Sequence, residues 1–257
     1  MKILYPIILF LTLSACQNEQ EQPLLTTIET MKQTDVLLVS DHTLPEHLNL
    51  SSGGANGEER RFIDPTIQSL RAKLQELNLS TYVLNVEDMV EDKSIDNKTT
   101  FEAAYAEFDK VLNAAVAANV TILSVHYDAN IIKAADYGSA NDYIGGAHVI
   151  LDQRATSNET IAFAESIIFD GNVLKLLNDT GLRIRPDYER QIRYQGNLTL
   201  NIIGHSKGGA ALLEIGPQEQ AQELFGTPAQ IVENIDLPLT KLAETIFNFR
   251  QSNNLDN

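Results

Sequence analysis

Cysteine and basic residues are both scarce in this chain. Its 257 residues include one cysteine, Cys16, so an internal disulfide is excluded. Lysine and arginine together number 19 against 35 aspartates and glutamates, which gives a formal net charge of −16 at pH 7. Nucleic acids and anionic membrane surfaces repel so acidic a protein. We therefore expect no nucleic-acid partner and no direct binding to lipid headgroups.

The apolar stretch near the N-terminus, residues 3–13, is too short to span a bilayer. It follows Lys2 and precedes small residues, an arrangement typical of a secretory signal peptide over residues 1–15. Residues 13–16, with the sequence LSAC, resemble a bacterial lipobox, which implies cleavage before Cys16 and acylation of its thiol. Gln17 then implies sorting to the outer membrane, facing the periplasm. The alternative is an ordinary secretory signal with a chance cysteine.

The rest of the chain divides into a tether and one domain. Residues 16–33 are polar and are expected to form a flexible tether. Residues 34–252 have a length that suits a single domain. Within it, short apolar runs such as 36–40 and 120–125 alternate with amphipathic segments. This alternation predicts an α/β fold with a mostly parallel central sheet flanked by helices.

Capping signals predict where several helices begin. Asp64 followed by Pro65 is a favourable helix start, with the aspartate as N-cap and proline in the first turn. Residues 99–102 and 156–159 fit the capping-box pattern, and Pro238 is expected to open the last helix.

Two of the apolar runs lead to a histidine, and a third leads to a glutamate. These residues are His42, His126 and Glu214. Ligands of open α/β sheets bind beyond the carboxyl ends of the strands, so we expect the three side chains to share one site there. If Cys16 carries lipid, no thiolate is available, and a zinc site must use histidine and carboxylate ligands. Glu59, or its neighbour Glu58, would complete a His₂Glu set.

A His₂Glu set leaves one coordination position for water, as catalytic zinc requires. Zinc lowers the pKa of bound water to about 7 and so supplies a hydroxide at neutral pH. Glu214 would take the proton and deliver it to a leaving amine. A buried carboxylate can also serve only in a salt bridge, here with Lys207 or an arginine, which is the structural alternative for Glu214.

The order and context of these residues resemble the zinc-dependent N-acetylmuramoyl-L-alanine amidases that hydrolyse bacterial cell walls. Glu59 followed by Arg60 is similar to the family's glutamate and basic residue, with Glu58 as the fallback. Residues 124–130, SVHYDAN, resemble the strand with the third ligand, and residues 212–216, LLEIG, resemble the strand with the catalytic glutamate. The resemblance implies Zn²⁺ on His42, Glu59 and His126, catalysis by Glu214, and a peptidoglycan substrate.

The chain departs from this family around the first ligand. The family has Asp-Pro-Gly-His-Gly-Gly there, whereas residues 39–44 are VSDHTL. The change favours the alternative of a non-catalytic lipoprotein that binds wall fragments on the same fold. Whether a regulatory protein acts on the domain stays open. The predicted helix start at Asp64 also places Glu59 ahead of the helix, whereas the family has its glutamate inside it.

A second motif indicates a different class of enzyme. Residues 204–208, GHSKG, fit the Gly-x-Ser-x-Gly nucleophile elbow of α/β-hydrolases, with Ser206 as nucleophile after a strand, here the apolar run at 198–203. That fold places its acid and then its histidine after the serine, and no histidine follows His205. The order of residues therefore disfavours a serine esterase.

Overall fold

The computed structural model describes residues 21–44, 46, 54, 57–89, 98–132, 143–154, 156–185 and 192–255. The signal peptide and Cys16 lie outside these residues, so the predictions on them stay predictions. Among the described residues, no helix combines the length and the apolar character needed to cross a membrane.

Eight strands and nine α-helices are described. The strands are β1 Val36–Ser40, β2 Thr81–Asn85, β3 Thr121–Asp128, β4 Ile131–Ile132, β5 Tyr143–Ile144, β6 His148–Asp152, β7 Arg193–Gln195 and β8 Ala210–Pro217. The helices are α1 Glu21–Lys32, α2 Glu59–Glu76, α3 Lys98–Ala117, α4 Asn158–Glu165, α5 Val173–Asp179, α6 Leu198–Ile203, α7 Gln218–Phe225, α8 Pro228–Asn234 and α9 Asp236–Ser252. A 3-10 turn, Val86–Met89, follows β2, and a π-helical turn, Ser166–Asp170, continues α4.

Six strands form one sheet in the order β2-β1-β3-β8-β6-β7. Strands β2, β1, β3 and β8 are parallel, whereas β6 runs antiparallel to β8 and parallel to β7. Two apolar clusters cover the two faces: α2, α4, α5 and α9 pack on one, and α1, α3 and α6 pack on the other. The fold is a single α/β domain with a mostly parallel sheet between helices, as predicted.

Helix α2 begins six residues earlier than the Asp64 cap predicts. It starts at Glu59 and carries Pro65 in its interior. Phe62 and Ile63, which precede the proline, are buried with the rest of the apolar face of the helix. Burial of these side chains offsets the hydrogen bond that Pro65 cannot donate. The predicted helix start is therefore wrong, and Glu59 lies inside the first turn.

Two further predictions about local structure are wrong. Residues 21–32 of the expected tether form α1, because Ile28 and Met31 pack against the sheet and Met31 is fully buried. The apolar run 198–203 is helix α6 rather than a strand. Its N-cap residue, Asn197, accepts a hydrogen bond from the backbone N–H of Leu200 at 2.6 Å, which favours a helix start.

Strand β3 is longer than its apolar run predicts. It continues through His126 to Asp128, and all eight of its residues are buried. His126 therefore lies inside the strand, whereas His42 lies two residues beyond the end of β1. Glu214 is likewise inside β8, directly opposite His126 in the register of the two strands.

Candidate metal centre

Strands β1 and β3 and helix α2 bring His42, His126 and Glu59 together. Nε2 of His42 lies 3.1 Å from Nδ1 of His126 and 3.3 Å from Oε2 of Glu59. Nδ1 of His126 lies 3.1 Å from Oε1 of Glu59. Ligand atoms held tetrahedrally at about 2.0–2.1 Å from a zinc ion are roughly 3.3 Å apart. The three side chains therefore have the spacing and the chemistry of a zinc ligand set.

The structure distinguishes between the two neighbouring glutamates. Glu59 is 3% exposed and points at the histidines, whereas Glu58 is exposed. The backbone N–H of Tyr127 donates to Oε1 of Glu59 at 2.9 Å and orients the carboxylate. Glu59 is also the first residue of α2, where the positive end of the helix dipole favours a negative charge.

Arg60 holds the loop that carries His42. Its Nη1 donates to the carbonyl oxygen of His42 at 3.1 Å and lies 3.3 Å from Oε2 of Glu87. The same Glu87 oxygen accepts from the backbone N–H of Leu44 at 3.1 Å. Arg60 is buried, although its sequence context is equally typical of a solvated surface charge. No local pattern distinguishes the two, because Glu87 comes from a distant segment of the chain.

Asp41 is a site residue that the sequence reasoning missed. Its Oδ1 lies 3.2 Å from Nε2 of His126, and Oγ of Ser124 lies 3.0 Å from the same nitrogen. Asp41, His42 and His126 also form a possible three-residue metal site by themselves. The available signal was a carboxylate adjacent in sequence to a candidate ligand, since ligating histidines are commonly oriented by a carboxylate on their second nitrogen.

The electrostatics of this cluster favour a cation. Burial acts to raise the pKa of Asp41 and of Glu59, but the positive charges of His42 and His126 hold both below their usual range. Burial acts to lower the pKa of His126, yet Asp41 and Glu59 hold it well above the usual value. The two carboxylates thus favour positive charge between them, which a divalent cation supplies when it replaces the proton.

Glu214 lies beside this cluster on β8 and pairs with His126 of β3 in the strand register. Its Oε2 is buried and accepts no hydrogen bond from the residues that the structure describes. Burial raises its pKa well above the usual value, and the charges of Asp128 and Glu59 act in the same direction. A carboxyl group with a raised pKa next to a metal site is suited to proton transfer.

No ion pair at salt-bridge distance holds Glu214 in the described part of the chain, although the charge of Arg193 acts to lower its pKa. Lys207, its expected partner, is exposed, and no ion pair to Glu214 occurs among the described residues. Of the other histidines, His148 is fully buried and His205 is exposed, whereas His47 lies outside the described residues.

The position of Ser206 does not suit a catalytic nucleophile. The residue is fully buried, and its hydroxyl donates to the carbonyl oxygen of Val120 at 3.2 Å and accepts from the N–H of Gly208 at 3.1 Å. The segment before it is α6, whereas a nucleophile elbow follows a strand. The residues that resemble the Gly-x-Ser-x-Gly motif therefore form a turn between α6 and β8.

No family model matches the chain, and no curated protein matches its sequence. Among solved structures, it is similar to the apo form of the N-acetylmuramyl-L-alanine amidase Ami1 from Mycobacterium abscessus, with a TM-score of 0.50 and 16% identity, over 83% of this chain and 97% of that one. It is also similar to Ami1 from Mycobacterium smegmatis, with a TM-score of 0.51 and 15% identity, over 83% and 96% of the two chains. The chain thus has the fold of these amidases.

Proposed function

We propose that this protein is a zinc-dependent amidase that hydrolyses the bond between N-acetylmuramic acid and L-alanine in peptidoglycan. The observation that carries the proposal is the spacing of 3.1–3.3 Å among the donor atoms of His42, Glu59 and His126. Glu214 on the adjacent strand supplies a partly buried acid opposite His126 in the strand register. The shared fold with the Ami1 amidases supports the choice of substrate.

In this proposal His42, Glu59 and His126 hold Zn²⁺. When bound, the ion would polarise the scissile carbonyl group and lower the pKa of a bound water to about 7. Arg60 and Glu87 keep His42 in place through its backbone, and the backbone N–H of Tyr127 keeps Glu59 in place.

Glu214 moves the proton. It accepts a proton from the attacking water as the oxygen bonds to the carbonyl carbon, and it returns that proton to the amide nitrogen as the C–N bond breaks. The products are the carboxylate of the muramic acid lactyl group and the free amine of L-alanine. The raised pKa of Glu214 suits both transfers, because a carboxylate with a raised pKa is a stronger base for the water proton.

The N-terminal segment suits this role. We propose that acylated Cys16 anchors the protein to the outer membrane, facing the periplasm, and that the membrane is contacted only through the lipid. This places the domain beside the peptidoglycan layer. Retention of radiolabelled palmitate by the wild type, and its loss in Cys16→Ser, would support the anchor, whereas equal labelling of both would contradict it.

The proposal is tested by zinc analysis of the purified protein together with hydrolysis of a muramoyl-peptide. We expect about one zinc per chain and release of a peptide with a free N-terminal L-alanine. His126→Ala is expected to lose both properties. His205→Ala, which removes an exposed histidine, is the matched control and should keep both.

Glu214→Gln separates metal binding from catalysis. We expect it to keep zinc and to lose hydrolysis by a factor of roughly 10²–10⁴, since the amide cannot transfer the proton. Full activity in Glu214→Gln would contradict the role of this residue. Zinc binding with no hydrolysis by the wild type would favour the non-catalytic wall-binding protein, an alternative that the altered loop around His42 suggests.

A further inference from the structure

A second group of charged side chains lies next to Glu214, on the side away from the candidate metal centre. His148, the first residue of β6, pairs with Glu214 across the antiparallel β6–β8 register. Arg185 and Arg193 both approach this histidine, each with Nη1 at 3.5 Å from its Nε2. The proposed mechanism assigns no role to these three residues.

His148 acts here as an acceptor. Its Nδ1 donates to the carbonyl oxygen of Gly146 at 2.7 Å, so the lone pair of Nε2 faces the two guanidinium groups. Burial lowers the pKa of His148 to about 3, and the charges of Arg185 and Arg193 act in the same direction. The imidazole is therefore neutral at physiological pH and lies beside two guanidinium groups without adding a third positive charge.

The two arginines differ in their access to solvent. Arg185 is 4% exposed, and its Nη1 lies 3.9 Å from Oδ2 of Asp128, which also accepts from the N–H of Gly146 at 3.0 Å. Arg193 is partly exposed on β7, a strand at the edge of the sheet. Arg185 thus forms the buried part of the cluster, and Arg193 forms the part that is accessible to a ligand from solvent.

The position of the cluster suits the binding of a substrate group that lies close to the scissile amide bond. Neighbouring strands lie about 4.8 Å apart, and His148 is one strand away from Glu214. The backbone of His148 is therefore displaced by roughly 5 Å along the sheet from the strand of Glu214, and the two guanidinium groups lie beside its side chain. An extended peptide advances about 3.3 Å per residue, so a substituent one or two residues beyond the scissile amide spans this distance.

We propose that Arg193, positioned by His148 and Arg185, binds a carboxylate of the stem peptide one or two residues beyond the scissile amide. The guanidinium group presents a planar pair of donors that matches a carboxylate, and such charge-assisted pairs are about twice as strong as neutral hydrogen bonds. The inference rests on the proposed amidase function, and it makes the enzyme selective for stem peptides in which that carboxylate is free.

Calorimetric titration of the zinc-loaded full chain tests this site. The probes are a free stem peptide with a carboxylate at the second residue and the same peptide with a primary amide there. We expect the wild type to bind the acid at least about tenfold more tightly than the amide. Arg193→Gln should abolish the difference, whereas Arg154→Gln should keep it, because Arg154 is half-exposed and paired with Asp152 outside the cluster.

Arg193→Lys keeps the charge and removes the planar pair of donors. We expect it to retain a smaller preference for the acid, and one that added salt weakens more strongly. Equal affinity of the wild type for the two peptides, or an unchanged preference in Arg193→Gln, would overturn the proposal. The free peptide has no scissile muramoyl bond, so a failure to hydrolyse muramoyl-peptides would contradict only the amidase function and would not alter this measurement.

Discussion

Asp41 precedes His42 directly, at a position where the amidase pattern that this segment resembles has glycine. Its carboxylate lies 3.2 Å from Nε2 of His126, while Nδ1 of the same ring faces His42 and Glu59. A carboxylate on the second nitrogen of a ligating histidine fixes its tautomer and raises its basicity. We expect Asp41 to orient His126 for zinc in this way.

Asp41→Asn is expected to weaken zinc binding by about 10–100-fold, because a neutral amide is a weaker acceptor for the Nε2–H of His126. Competition with a chromophoric chelator measures the affinity. Asp170→Asn, at an exposed position, is the control and should not change it. Unchanged affinity in Asp41→Asn would contradict the orienting role, and complete loss of zinc would assign Asp41 as a ligand itself.

Helix α2 joins the metal centre to the core. Its first residue is Glu59, its buried face includes Ile63 and Ile67, and Pro65 lies between these two. Proline has no N–H to donate to the carbonyl oxygen of Arg61, four residues earlier. The helix persists there because packing of its apolar face outweighs the missing bond.

Pro65→Ala should therefore raise the free energy of unfolding by about 2–2.5 kcal/mol. An interior proline costs a helix about 3 kcal/mol relative to alanine, and the gain is reduced by about 0.4–1 kcal/mol because alanine gives the unfolded chain more freedom. Urea denaturation gives the value, with Gln68→Ala at an exposed position of the same helix as the control. A decrease in stability would show that the proline is needed for the shape of the helix around residue 65.

The link between α6 and β8 contains the serine that resembles a nucleophile. Ser206 is fully buried, and its hydroxyl is hydrogen-bonded to Val120 and Gly208. We therefore expect no labelling of Ser206 by a fluorophosphonate. A serine protease serves as the positive control. Ser206→Ala should leave amide hydrolysis unchanged and lower the free energy of unfolding by about 1 kcal/mol. Labelling of Ser206, or loss of hydrolysis in Ser206→Ala, would revive the serine hydrolase alternative.

At the scale of the whole molecule, buried His148 makes stability depend on pH. Its folded pKa of about 3 lies below the ordinary value of 6.5. Between these values the unfolded chain holds a proton on this residue that the folded chain does not. The free energy of unfolding therefore increases as the pH rises across this window and decreases as the pH falls.

His148→Gln removes this contribution, so the stability difference between wild type and variant should narrow as pH falls from 7 to about 4. Urea denaturation at several pH values measures the difference. His205→Gln, at an exposed histidine, should follow the wild type throughout. A difference between wild type and His148→Gln that does not change with pH would contradict a neutral, buried imidazole.

Local sequence patterns predicted the architecture of this protein well. Strand β1 was expected at residues 36–40 and lies there, and the α/β class follows from the alternation of apolar runs with amphipathic segments. Such patterns indicate which face of a helix or strand is apolar, because the period of each element repeats over neighbouring residues. The predictions fail where a short local signal competes with packing, as at Pro65 in α2 and in the apolar run that forms α6.

The sequence by itself determined the class of fold and the candidates His42, His126 and Glu214. Only the tertiary structure decided that Glu59 rather than Glu58 faces the histidines, and that Asp41 contacts His126. The physical reason is separation along the chain: His42 and His126 are 84 residues apart, and the pairing of β1 with β3 sets which side chains meet. No local pattern carries that information.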